Sequence, residues 1–178
     1  VWVEINHEFT DNKNMRGKII EVLGQANSPK AEQLSIIRSF GLIDRFEDNV
    51  LTYARTIPQS VDLRKFKKRE NYTEHKVITI DGEDARDFDD ALSIEKVNDG
   101  YYLYVHIADV SHYVTENDPI DKEAYRRGTS VYFPNQVIPM LPKELSNGIC
   151  SLSEGVNRLV LTCVIHLDEK FNVISSEI

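Results

Sequence analysis

Ten consecutive residues, DGEDARDFDD at 81–90, hold six acids and one base. Carboxylates about 5 Å apart repel by on the order of 1 kcal/mol in water, and several-fold more when partly buried. A fold that keeps them together therefore needs a reason. Three arrangements supply one: a solvated acidic loop, a set held partly protonated, or a set that holds cations. Three neighbours weigh against the plain loop. The run follows the apolar segment Val77–Ile80, read as a short buried strand, so Asp81 falls at a strand end. Phe88, Ala91 and Leu92 anchor the stretch to a core. Gly82 permits a tight turn directly after Asp81, folding the later acids back toward it. In extended chain Asp87 and Asp89 share a face that Asp90 opposes, and a bend there converges three or four carboxylates.

Carboxylates without His or Cys favour hard Mg²⁺, Mn²⁺ or Ca²⁺ over zinc. An EF-hand fails on spacing: counted from Asp87, the sixth position is Leu92 where glycine is needed and the twelfth is Asn98 where Glu is needed. Mg²⁺ held by few carboxylates is typical of phosphoryl chemistry, where the ion also touches substrate phosphate. The residues by themselves thus point to a metal-dependent phosphodiesterase or phosphatase and leave the substrate open.

Charge is unevenly spread. The chain carries −8 overall, yet residues 81–121 alone carry −10, and residues 61–80, directly before them, carry +3. A globally acidic chain argues against nucleic acid as a partner unless bound cations reverse the local sign. With 178 residues, 41% hydrophobic and 28% charged, there is room for one domain or one and part of another, and full disorder is excluded. No run is long and apolar enough for a membrane span. The opening residues include Glu4 and Glu8 and show no basic, apolar leader. Cys150 and Cys163 are too few for a disulfide scaffold and read as buried thiols in a reducing cytoplasm.

The periodicities predict an α+β chain. Residues 1–10 read as a strand, Thr10–Asn14 as a polar turn, and Gly17–Leu23 as a second strand. Together they look like the end of a small β domain, 1–25. A helical bridge and basic linker, 26–75, follows. Ala31–Phe40 has apolar residues at helical spacing, with Ser28-Pro29 before it and Gly41 after. Phe46–Ile57 repeats the pattern, with Asp44 as N-cap and Pro58 as the stop. Residues 59–75 read as a linker or surface loop. From 76 to 178 the chain is strand-rich: Ala91–Val97 and Tyr101–Val110 flank the hairpin signal Asp99-Gly100, Pro119–Arg127 reads as a short helix, Ser130–Ile138 as extended, and Arg158–Leu167 as the clearest strand. The first and last strands read as cut edges, so the chain is expected to be an internal fragment.

TIDGEDARDFDDA (79–91) resembles the signature of the RNB family of exoribonucleases, the ribonuclease II superfamily, and most of all its bacterial ribonuclease R branch. The resemblance continues through YVHIADVSHYV (104–114), RRGTSVYFPNQVIPMLPKELSNGICSL (126–152) and the strand from Arg158. It implies that 1–25 ends a cold-shock (OB-fold) domain, that 26–75 connects, and that 76–178 is the mixed α/β N-terminal part of a truncated RNB catalytic domain. It implies processive hydrolysis of RNA from the 3′ end, releasing nucleoside 5′-monophosphates with Mg²⁺, or Mn²⁺ in its place. The family's four acids fall on Asp81, Asp87, Asp89 and Asp90, which by resemblance hold the metals and position the attacking water, Asp89 being the one most needed for chemistry. Glu83 and Asp84 lie outside that quartet. Tyr132 matches the aromatic that stacks on a base near the single-stranded RNA 3′ end, a contact that needs no sequence readout. A regulatory homologue with a dead site is disfavoured, because all four aspartates are present. The family's catalytic domain extends well beyond 178, so this chain alone is also readable as a catalytically silent piece that binds metal or RNA. His106 and His112 read as satisfied strand histidines, Arg126 and Arg127 as surface charges able to meet phosphate, and the basic run 64–69 as a solvated linker able to track RNA backbone.

Overall fold

A computed structural model of the chain describes residues 1–5 and 16–178. The expected turn Thr10–Asn14 and the second half of the expected first strand lie outside these residues. The chain divides into two compact units, Val1–Arg45 and Phe46–Ile178.

In the first unit β1 (Trp2–Ile5) pairs antiparallel with β2 (Gly17–Glu21), and α1 (Pro29–Ser39) follows. The Ser28 hydroxyl accepts from the Ala31 N–H, and Pro29 occupies the first turn, where its missing N–H costs nothing. Arg38 donates to both Glu21 carboxylate oxygens, at 2.6 and 2.9 Å, and pairs with Asp44 at 3.2 Å. Asp44 is thereby spent inside this unit. It does not cap the next helix as the sequence suggested.

In the second unit α2 spans only Asp48–Ala54, with Glu47 at its N-cap and no side-chain capping bond. The expected helix over 46–57 is shortened at both ends. At its C-terminus the Thr56 and Ile57 N–H groups reach back only three residues, to Tyr53 and Ala54, so the last turn tightens before Pro58. Then come β3 (Asp90–Val97), β4 (Gly100–Ala108), α3 (Pro119–Arg127), β5 (Val131–Phe133), β6 (Gln136–Ile138), β7 (Val160–Leu167) and β8 (Val173–Glu177). Strands β3-β4-β7-β8 form one antiparallel sheet in that order, and β5-β6 form a separate small hairpin. Gly100, at φ +145°, turns the β3–β4 hairpin. A Cβ there would lie 1.9 Å from the Leu167 carbonyl oxygen, so the position admits glycine alone. The core lies between α2, α3 and the end of β4. Val50, Ala54, Ile120, Leu145, Ile149 and Cys150 are all buried there.

Two expectations need correction. Val77–Ile80 is not a buried strand. It contributes one isolated bridge, Ile78 to Leu92, and Val77, Ile78 and Ile80 stay exposed. Its neighbours 76 and 81 onward are charged, which leaves too short an apolar stretch to sustain a ladder. Of the two readings of 59–75, the surface loop holds and the free linker does not. Arg69 donates to Asp109 at 2.6 Å and to the Val160 carbonyl at 3.4 Å. Phe66 packs edge-on against His112, and Tyr72 lies against Tyr104 and His106. His106 is a satisfied buried histidine, as expected. Its ring nitrogens face Ser93 Oγ at 3.1 Å and Thr162 Oγ1 at 2.9 Å.

Burial pushes the Asp109 carboxyl up, but hydrogen bonds from Arg69 and Ser111, with the Arg69 charge, outweigh it and hold the carboxyl below its ordinary value. A depressed carboxylate stabilises the fold fully above its unfolded pKa of about 3.9 and loses that contribution as pH falls through the lower folded value. Arg69→Ala strands a buried charge. Discounted for the half-exposed guanidinium, it is expected to cost about 2–4 kcal/mol in urea unfolding at pH 7. The gap to wild type should narrow only below about pH 4, as Asp109 becomes protonated in the folded chain. A gap independent of pH would remove the ion pair from the account.

Candidate active site

The acid run lies between the bridge at Ile78 and the start of β3. Asp81 is exposed, followed by a turn closed by the Ala85 N–H on the Gly82 carbonyl at 3.0 Å. Asp87 is half-buried, while Asp89 and Asp90 are exposed. Asp90 opens β3 opposite Ile107 of β4.

The backbone around these acids is held by segments remote in sequence. The Ser151 hydroxyl, wholly buried, donates to the Arg86 carbonyl at 2.9 Å and accepts from the Phe88 N–H at 3.2 Å. The Leu152 N–H donates to the Phe88 carbonyl, and the Ala108 N–H to the Asp89 carbonyl, each at 2.9 Å. Arg158 Nε in turn donates to the Ser151 carbonyl at 2.8 Å. None of this was foreseen from the sequence. The partners are main-chain atoms more than sixty residues from Ser151, and no side-chain pattern marks such a contact.

Asp89 is the electrostatic focus. Partial desolvation, then the charges of Asp87, Asp90 and Asp81, push its carboxyl above the ordinary value. The other three aspartates singled out in the sequence therefore all act on Asp89 here. Glu83 and Asp84 do not contribute to that shift. Among the described residues no three His, Cys, Asp or Glu side chains stand close enough together to hold a metal ion. The donor set, oxygen-only and anionic, is nevertheless of the kind that suits Mg²⁺ or Mn²⁺. Its closure to ligating distance needs a compensating positive charge, because like carboxylates resist approach.

Tyr132 sits on β5 with its ring 68% exposed, free to offer a face to a stacking partner. Arg127 is not a surface charge. It is 3% exposed, pairs with buried Glu123 at 2.9 Å, and lies 3.8 Å over the Phe46 ring. Arg126 also pairs with Glu123 and reaches Glu47 at 2.9 Å. Both arginines tie α3 to the start of α2.

The model of the RNB domain matches residues 69–178, and that of a cold shock domain matches residues 1–47. The chain belongs to the RNB family. Ribonuclease R 1 of Lactococcus lactis is 44% identical over 182 aligned residues, covering 100% of this chain and 22% of that protein. Ribonuclease R of Thermotoga maritima is 44% identical over 181, covering 100% of this chain and 26% of its own length. The structure of Mycoplasma genitalium RNase R in complex with ribose-methylated single-stranded RNA superposes with TM-score 0.84 at 30% identity, over 92% of this chain and 25% of that one. The chain spans about a quarter of the length of these relatives.

In this RNB chain the carboxylates around Asp89 repel one another when no cation is bound. Asp89→Asn is therefore expected to stabilise the metal-free protein by about 1 kcal/mol in urea unfolding with EDTA present. A loss of stability would show that Asp89 has a favourable partner that outweighs the repulsion.

Proposed function

We propose that this chain carries the acidic centre of a 3′-to-5′ processive exoribonuclease that hydrolyses single-stranded RNA from its 3′ end to nucleoside 5′-monophosphates. The observation that carries the reading is the RNB match over 69–178, on a chain that places Asp81, Asp87, Asp89 and Asp90 in one ten-residue segment. The domain reading is retained as part of the proposal: the end of a cold-shock domain over 1–25, a connection over 26–75, and the first part of the catalytic domain from 76 onward.

In this reading Asp81, Asp87, Asp89 and Asp90 would hold Mg²⁺, or Mn²⁺ in its place. When bound, the ion supplies Lewis acidity at the scissile phosphate and lowers the pKa of a coordinated water. An Asp89 carboxylate oxygen accepts a hydrogen bond from the attacking water and so orients it in line with the P–O3′ bond. Breaking that bond leaves the phosphate on the 5′ oxygen of the departing nucleoside and returns a 3′ hydroxyl to the shortened RNA. Tyr132 stacks on a base near the 3′ end and places the terminal phosphodiester without reading sequence. No described helix is long and apolar enough to cross a membrane, and both cysteines are free thiols. These facts accord with work in the reducing cytoplasm.

The short span relative to the relatives favours a second reading for the chain taken alone: a silent piece that binds metal and RNA. An assay on 5′-labelled single-stranded RNA with Mg²⁺ separates the two. Progressive 3′ shortening by the chain, lost in Asp89→Asn, is the outcome expected if the acids form a working centre unaided. No cleavage at high protein concentration, with Mn²⁺ binding intact, assigns the chain the second reading. Absence of both overturns the proposal. Tyr132→Ala is expected to weaken single-stranded RNA binding by about 1–3 kcal/mol in a filter or anisotropy titration. Unchanged binding would remove Tyr132 from the RNA path.

A further inference from the structure

The hydrogen bonds that cross 86–90 follow a pattern. The Ser151 hydroxyl donates to the Arg86 carbonyl and accepts from the Phe88 N–H. These two atoms belong to the two peptide units flanking Asp87, so one side chain restrains both torsions of that residue. The next unit is held through the Phe88 carbonyl by the Leu152 N–H, and the one after it through the Asp89 carbonyl by the Ala108 N–H. Four consecutive peptide units, spanning three of the four aspartates, each have a partner outside the loop. Only one of those partners is a side chain.

Ser151 has nothing to spare. Its hydroxyl carries one proton, given to Arg86, and two lone pairs, which face the Phe88 N–H and the Ser153 hydroxyl at 3.2 Å. Its N–H donates to Gly148 at 3.1 Å, and its carbonyl accepts from the Ser153 N–H at 2.8 Å and from Arg158 Nε at 2.8 Å. A fully buried residue with every polar atom engaged is fixed in place, and it passes that fixity to the loop. A solvated acidic loop with no task would not require such a mount, because its peptide groups would bond to water.

We infer that Ser151, itself fixed by Arg158, is a positioning residue that sets the backbone of Asp87 and so the approach of the carboxylates to a divalent cation. The inference rests on the metal-holding role proposed for these aspartates. Groups that orient ligands without touching the ion commonly change metal affinity 10- to 100-fold.

The test is Mn²⁺ titration of the chain, followed by electron paramagnetic resonance, alongside thermal unfolding in EDTA. Ser151→Ala is expected to lower Mn²⁺ affinity about 10- to 100-fold and to lower Tm. Ile120→Val, wholly buried and outside the hydrogen bonds that hold the loop, is expected to lower Tm and leave the affinity unchanged. Ser151→Cys keeps the side-chain shape with a somewhat larger atom that is a weaker donor and acceptor, and is expected to fall between wild type and Ser151→Ala. It also serves as the deciding variant should Ser151→Ala fail to fold. Wild-type affinity in the folded serine variants, or an equal loss in Ile120→Val, overturns the inference while leaving the metal-holding role intact. If wild type itself shows no Mn²⁺ binding that Asp89→Asn weakens, that role falls and the inference falls with it.

Discussion

The repulsion among carboxylates in one short loop is the constraint around which the second unit is organised. Left to itself such a loop would spread into solvent, where each charge gains hydration and distance from the others. Here it is held from two sides, by the end of β4 through Ala108 and by residues 151–152. The raised carboxyl of Asp89 registers partial desolvation first and this closeness second. A protein retains such a local cost when the strained group has work to do. Beneath the loop the packed core of α2, α3 and the turn at 145–149 supplies the rigidity that the acids lack.

The same logic runs through the polar interior. Glu123, 4% exposed, is bracketed by Arg126 and Arg127, and Asp109, equally buried, by Arg69 and Ser111. Each buried acid is paired, as desolvation demands, and its arginines make contacts between parts distant in sequence. Arg69 brings the basic stretch against the sheet. Arg126 and Arg127 bring α3 against residues 46–47. Of the cations that sequence reading offered to RNA, Arg69, Arg126 and Arg127 are engaged within the fold, while Arg64, Lys65, Lys67 and Lys68 stay exposed.

What was legible in the sequence was what local chemistry encodes. Ser28-Pro29 and Gly41 bracket α1 because a cap and a helix stop act within a few residues. Asp99-Gly100 announces the β3–β4 hairpin because a positive φ there is needed regardless of what lies elsewhere. The four aspartates stood out because charge density needs no tertiary context to be noticed. What stayed hidden was decided at long range. Asp44 was claimed by Arg38 and so lost to capping. Residues 59–75 looked like a linker because their anchor, Asp109, lies forty residues beyond Arg69. Val77–Ile80 looked like a buried strand because apolar content was visible and the lack of a covering layer was not.

The clamp on the acid loop also has a consequence in time. Ser151 follows Phe88 by 63 residues, so the loop and its mount do not leave the ribosome together. At about 5–20 residues per second, the aspartates precede Ser151 by roughly 3–12 s, far longer than a hairpin takes to form. During that interval β3 and β4 can pair, which fixes Asp89 and Asp90, while Asp81 and Asp87 remain in an unrestrained, hydrated segment. The centre is then completed by a later, non-local contact. A nascent or unfolded copy is thereby spared a preformed cation trap.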